Sequence, residues 1–320
     1  MRSKLTPSSM LLAALCICLM SEDLWLKNAP ASYTGRIVFT SFRDGNAEIY
    51  VMDAHGRNQE RLTNHRAYDG YPDWSPDGTK IAFASGRDSA RSQIHIMDAD
   101  GKNVIRLTDG PGSKRDPDWS PDGGKIAFSV SDWGKTHIAV MDADGNREKL
   151  ETVAMYPSWS PDGKQIAFAH GEIYVIGVGG QGRKRVTHDL EHKLNPSFSP
   201  DGRCIAYDAE HKGFRHIFAV DADGRNRVRL THNNEHHLGP AWDPGGQVMV
   251  YWVWDGMWLG NFRGTIHLIA SDGRYIRQLS HDRNALDLHP DISPLGLAVS
   301  PASKTAAIWG RLKKRASDLP

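Results

Sequence analysis

Apolar and polar positions alternate with a period of two in many short runs along this chain, the pattern of half-buried strands rather than of helices. The runs are close copies of one another. DWSPDGTKIAFAS from Asp73 is followed by DWSPDGGKIAFSV from Asp118, SWSPDGKQIAFAH from Ser158 and SFSPDGRCIAYDA from Ser197. A second phrase is interleaved with the first: IYVMDAHGRNQERLT from Ile49, IHIMDADGKNVIRLT from Ile94, IAVMDADGNREKLE from Ile138, IYVIGVGGQGRKRVT from Ile173, IFAVDADGRNRVRLT from Ile217 and IHLIASDGRYIRQLS from Ile266. From Trp74 through Trp119, Trp159 and Phe198 to Trp242 the steps are 45, 40, 39 and 44 residues.

Each phrase predicts strands joined by a tight turn. In Ser-Pro-Asp-Gly the proline sets φ near −65° and the glycine supplies a positive φ. Asp-Ala-Asp-Gly closes a second hairpin, between the Ile-rich strand and the Arg-Leu-Thr strand. Every unit thus carries four antiparallel strands, and the Trp or Phe before Ser is expected between adjacent sheets. A repeat of about 40 residues built from four short strands predicts an all-β propeller, and six Ile-rich phrases predict six blades. The first blade, from Arg36 to Thr63, lacks a Trp-Ser strand. A C-terminal strand, either PDISP (Pro290–Pro294) or LAVSP (Leu297–Pro301), is expected to complete it and close the ring.

The W-S-P-D-G-x-x-I-A-F and M-D-A-D-G-x-N phrases resemble the propeller repeats of TolB, the periplasmic component of the Tol–Pal system, over about residues 36–300. The resemblance implies a non-catalytic scaffold that binds a protein or peptide partner in the cell envelope. TolB carries an α/β domain before its propeller, and the short stretch before the first blade leaves that domain unexpected here. The Gly-His and Trp-Asp pairs of WD repeats do not recur.

Turn chemistry divides the predicted ring into two faces. The SPDG and DADG turns share one face and hardly vary, which marks a structural requirement. The blade-to-blade loops, NHRAYDGYP, DGPGSKRDP, TVAMYP, HDLEHKLNP, HNNEHHLGP and HDRNALDLHP, share the other and all differ. Varied loops on a rigid scaffold are where binding concentrates. The residues just before each proline are Tyr71, Asp116, Tyr156, Asn195, Gly239 and His289. Tyr71, Asp116, Tyr156, Asn195, His237, Trp258 and His289 are therefore the expected ligand-binding set at the channel mouth, with Trp258 in the longest loop.

Composition adds constraints. The 320 residues are 39% hydrophobic and 24% charged with a net charge of +1, which provides no long-range attraction for nucleic acid or anionic membrane. Arg2 and Lys4, the apolar run Met10–Met20 and the small residues Ala29 and Ala31 read as a secretory signal over residues 1–31, too short a run to span a bilayer. The expected organisation is that signal, a propeller over 32–301 and a basic tail over 302–320 containing Lys313, Lys314 and Arg315. Removal of the signal takes Cys16 and Cys18 with it, so Cys204 has no disulfide partner within the chain. The mature protein is expected to be periplasmic or secreted, monomeric and without a membrane span.

The patterns of known catalytic and ligand-binding motifs are mostly absent. Asp98-Ala99-Asp100-Gly101 and its copies resemble the start of a calcium loop but lack its third acidic ligand and closing glutamate. There is no G-x-S-x-G elbow and no phosphate-binding glycine loop. Histidine is the exception, with ten of the fifteen between His188 and His289. No cofactor, metal or catalytic residue is expected. Should a metal bind, His192, His236 and His289 are the candidate ligands, and the alternative function is a metal-dependent glycan-active enzyme such as a polysaccharide lyase.

Overall fold

The computed structural model describes residues 35–294 apart from 190, 255–262 and 283–284, and for residues 147–152 the backbone alone. Its strands form six four-stranded antiparallel sheets, the blades of a closed ring. Blade 1 combines Asp287–Ile292, innermost, with Arg36–Ser41, Glu48–Asp53 and Glu60–Arg61. The innermost strands of blades 2 to 6 are Asp69–Trp74, Ser113–Trp119, Met155–Trp159, Lys193–Phe198 and His236–Trp242. The closing strand is therefore the one containing Pro290–Ile292, paired antiparallel with Arg36–Ser41; LAVSP lies outside the described residues.

The repeated phrases form the turns their chemistry predicts. Gly78 has φ 67° and donates its N–H to the Ser75 carbonyl at 2.8 Å, while the Ser75 hydroxyl donates to Asp77 Oδ1 at 2.6 Å. The second hairpin is tied by Asn103 Nδ2 donating to Asp98 Oδ2 at 2.6 Å. Its glycine has a further duty. A Cβ on Gly101 would stand 2.7 Å from the Leu62 carbonyl oxygen of the preceding blade, so the turn is also a contact between blades.

The core lies between the sheets. Trp74, 5% exposed, packs with Val38, Ile49 and Val51 of blade 1 and with Ile81, Phe83 and Met97 of its own blade. Hydrogen bonds stitch the inner strands together: the backbone N–H of Trp74 donates to Asp291 Oδ2 (2.8 Å), that of Trp119 to Asp73 Oδ2 (2.8 Å), that of Trp159 to Asp118 Oδ2 (2.6 Å) and that of Phe198 to the Ser158 hydroxyl (3.1 Å). No helix among the described residues is long and apolar enough to cross a membrane.

Candidate binding channel

Six X-Pro steps build the channel wall. A proline cannot donate to a strand ladder, so each inner strand breaks register there, as between Gly70 and Asp73, Arg115 and Asp118, or Leu238 and Ala241. The residue before each proline takes the left-handed region: Tyr71 (φ 54°), Asp116 (52°), Tyr156 (55°), Asn195 (50°), Gly239 (56°) and His289 (48°). Only glycine adopts this freely, and bulky rings there are unusual. The bulge re-aims all six positions onto one cavity of about 300 Å³.

The surroundings fix these side chains. Tyr71 stacks on His289 with ring centres 4.0 Å apart, and Trp252 meets His289 edge-on at 5.8 Å. The Tyr71 N–H donates to Thr40 Oγ1 at 3.1 Å and the Tyr156 N–H to Ser129 Oγ at 3.0 Å. Asp208 collects the Asn195 amide (2.6 Å), the Gly239 N–H (3.0 Å) and the Arg215 Nε (2.6 Å). Burial, and secondarily Arg115, pushes the His289 imidazole down to about 3, so it is neutral at ordinary pH. Burial raises Asp116 to about 6 against the opposing pull of Ser129 and Arg115, and raises the Tyr71 and Tyr156 phenols.

One turn deeper, two residues on, the ring reads Asp73, Asp118, Ser158, Ser197, Ala241 and Asp291. Three carboxyls are thus neighbours across consecutive blades. Burial raises Asp118 to about 8, with Asp291 repelling it further, and raises Asp291 to about 6. Asp73 is driven up by burial and then by both neighbours, and it shares a hydrogen bond with Asp291. These three were not among the expected site residues. Their signal was the Asp of P-D-W and P-D-I where other blades carry Ser or Ala.

Of the expected set, Tyr71, Asp116, Tyr156, Asn195 and His289 line the channel. Trp258 lies outside the described residues. His237 is corrected: it precedes the bulge, is 3% exposed and lines a separate cleft with Tyr251 and His267. The three candidate metal ligands do not converge. His289 is in the channel, His236 packs against Phe214 and Trp254, and His192 is exposed. Among the described residues no three His, Cys, Asp or Glu side chains are grouped as a metal site. The channel offers aromatic faces and hydrogen-bonding groups around a narrow mouth, an arrangement suited to holding a ligand.

The family model described as the TolB β-propeller domain matches residues 26–170 and 149–307. The Tol-Pal system protein TolB of Geobacter sulfurreducens is 47% identical over 49 residues, 15% of this chain and 11% of that protein, so the chain matches far less than two thirds of this relative's length. Among solved structures, TolB from Acinetobacter baumannii aligns with a TM-score of 0.72 at 23% identity, covering 86% of this chain and 71% of that one. An oligogalacturonate lyase from Vibrio parahaemolyticus aligns at 0.53 and 15% identity, covering 77% and 74%. At these identities the two structures share the fold alone with this protein. With six blades of the predicted phrases and a family model spanning nearly all of them, the chain belongs to the TolB β-propeller domain family.

Proposed function

We propose that this protein is an exported, non-catalytic binding module of the cell envelope that takes a protein or peptide partner at the channel mouth. One observation carries the reading: a position held in the left-handed region in all six blades bears a different side chain in nearly every one, on a frame that is otherwise repeated. Strained backbone retained around a cavity points to function rather than to stability. Curated relatives named as Tol-Pal system proteins support a periplasmic setting, and the N-terminal apolar run supports export. The glycan-lyase alternative has less support, because its candidate histidines stand apart.

The test begins with the tagged mature chain recovered from the periplasmic fraction and used to capture partners from envelope extract. Against the captured partner, Tyr71→Ala and Tyr156→Ala should each weaken affinity by about 1–3 kcal/mol if they are anchors, with the thermal midpoint nearly unchanged. Charge reversals at Arg57, Lys102 and Arg225, all well exposed on the turn face, should leave affinity intact. Loss of the partner in the turn-face variants, with the mouth variants unaffected, would assign binding to the opposite face.

A further inference from the structure

In four blades a pair of aromatic rings on the second and third strands is capped by an arginine. Arg43 lies 4.5 Å over Tyr50 beside Phe39, Arg87 lies 5.3 Å over Phe83 beside His95, Arg183 lies 4.3 Å over Tyr174 beside Phe168, and Arg227 lies 4.0 Å over Phe218 beside Tyr207. Blade 6 repeats the ring pair as Tyr251 and His267, with ring centres 5.6 Å apart. No arginine or lysine among the described residues lies over Tyr251. A cleft of about 470 Å³ stands there instead.

Blade 5 shows what the cleft is built to receive. Val228 pairs with Ala219 and Arg229 with Phe218, which sets Arg227 opposite Val220. In blade 6 the pairing shifts by one residue past Leu268, skipping Ile276, so that opposite Ile269 stands Tyr275, more than half exposed and 5.8 Å from the His267 ring. Arg227 is held by Asp189 and by Glu191, the latter at 2.5 Å, both from the loop that enters blade 5. The loop that enters blade 6 has Asn233 and Glu235 at the same two places, joined by an Asn233 Nδ2 to Glu235 Oε2 hydrogen bond of 2.5 Å. The glutamate and the rings are kept, Asn233 stands for the aspartate, and the arginine is gone.

A buried side chain also lacks its partner. His237 occupies the position of Asp69, Lys114, Lys193 and Asp287 in other blades. Asp69 pairs with Arg87, Asp287 with Arg43, Lys193 with Glu172, and Lys114 donates to a cage of backbone carbonyls. Neither ring nitrogen of His237 has a hydrogen-bonding partner, and its Nε2 is 3.8 Å from Glu235. His267 Nδ1 is likewise unpartnered. Burial keeps both imidazoles uncharged at neutral pH, so each can present one lone pair to a donor without repelling a cation. The nearby Arg229 guanidinium is turned to the loop, its Nε donating to His232 Nδ1 at 3.1 Å.

We propose that the blade 6 cleft is a receptor for a guanidinium group supplied from outside, seated on Tyr251 beside Tyr275 and donating to Glu235 and to one unpartnered nitrogen of each imidazole. A guanidinium fits better than an ammonium because it is planar, weakly hydrated and forked, and stacks on aromatic faces. The site is separate from the channel mouth, so its failure would leave the proposed partner site untouched. The group could arrive as an arginine side chain of a polypeptide or as a small guanidino compound.

The test uses the full mature chain, with imidazole resonances of His237 and His267 followed by NMR during titration. The probes are N-acetyl-arginine methylamide, free arginine and N-acetyl-citrulline methylamide, the uncharged isostere. The blocked arginine should saturate and shift both imidazoles, and the citrulline probe should bind about tenfold or more weakly, the effect of losing one charge-assisted contact. Glu235→Gln should weaken the arginine probe by a similar factor. Tyr275→Arg, at an exposed position, should fill the cleft from within, abolish probe binding and raise the thermal midpoint. Tighter binding of the blocked probe than of free arginine identifies a polypeptide side chain as the ligand, and the reverse order a small guanidino compound. Absence of shifts at both imidazoles, equal affinity for citrulline, or a folded Tyr275→Arg variant that binds unchanged would each overturn the proposal.

Discussion

Asp118 shows how one side chain serves two ends at cost. Its Oδ2 accepts the Trp159 N–H and latches blade 3 to blade 4, yet the carboxyl sits deep in the channel beside Asp73 and Asp291. Burial, and after it Asp291, raises it to about 8, whereas in the unfolded chain it titrates near 4. A group whose folded value is raised contributes its stability at low pH and loses it as pH climbs through the folded value. The protein should therefore lose stability between about pH 4 and pH 8 on account of this group. Asp118→Asn keeps an oxygen to accept the Trp159 N–H and cannot ionise. Its thermal midpoint at pH 8 should exceed the parent's, by about 2–4 °C for each kcal/mol recovered in a domain of this size, and its pH slope should be shallower. Identical slopes in the two proteins would show that Asp118 is not held neutral. The individual aspartates were plain in the sequence, but their adjacency was not: Asp73 and Asp291 are brought together only when the last strand enters the first blade. His237 was misplaced for a local reason. Residues two apart share a face in a regular strand, and the bulge at Gly239-Pro240 breaks that phase, so Gly239 faces the channel while His237 faces the cleft of its own blade.

At the scale of the hairpin, the uniform DADG-type turns were legible as turns from glycine alone. What lay beyond the sequence was why they repeat so closely. Gly56, with φ 79°, would place a Cβ 2.2 Å from the Leu279 carbonyl oxygen of blade 6, and Gly224 one 2.5 Å from that of Val186 in blade 4. Each turn is pressed against the strand before it around the ring. Gly45 provides the comparison, since its φ is 95° but nothing lies within 4 Å of its would-be Cβ. Gly45→Ala should cost only the left-handed penalty, about 1–2 kcal/mol. Gly56→Ala should cost clearly more, because the backbone of the neighbouring blade must also move. Equal losses in denaturant titrations of the two variants would reduce the turn's uniformity to local conformation. The same kind of internal comparison distinguishes the six X-Pro bulges, where backbone geometry is constant and side chain is not.

For the whole molecule, six blades could be counted from six Ile-rich phrases, and the need for a closing strand followed from the incomplete first blade. The choice between PDISP and LAVSP could not be read, because both alternate acceptably and only packing distinguishes them. Packing favours the first strongly. Asp287–Ile292 pairs with Arg36–Ser41, Asp291 accepts the Trp74 N–H, Asp287 holds Arg43 at 3.1 Å, and His289 completes the channel wall against Tyr71. A chain ending at Leu286 would lose all four and leave Arg36–Ser41 as an open edge, a template for intermolecular pairing. It should aggregate, or melt far below the parent, in size-exclusion and thermal-denaturation measurements. A chain ending at Pro294 keeps the strand and should match the parent in both, since LAVSP is then dispensable for closure. If the chain ending at Leu286 is monomeric and as stable as the parent, the ring does not depend on this strand. If instead the chain ending at Pro294 collapses equally, closure extends beyond Ile292 and the last segment contributes to it.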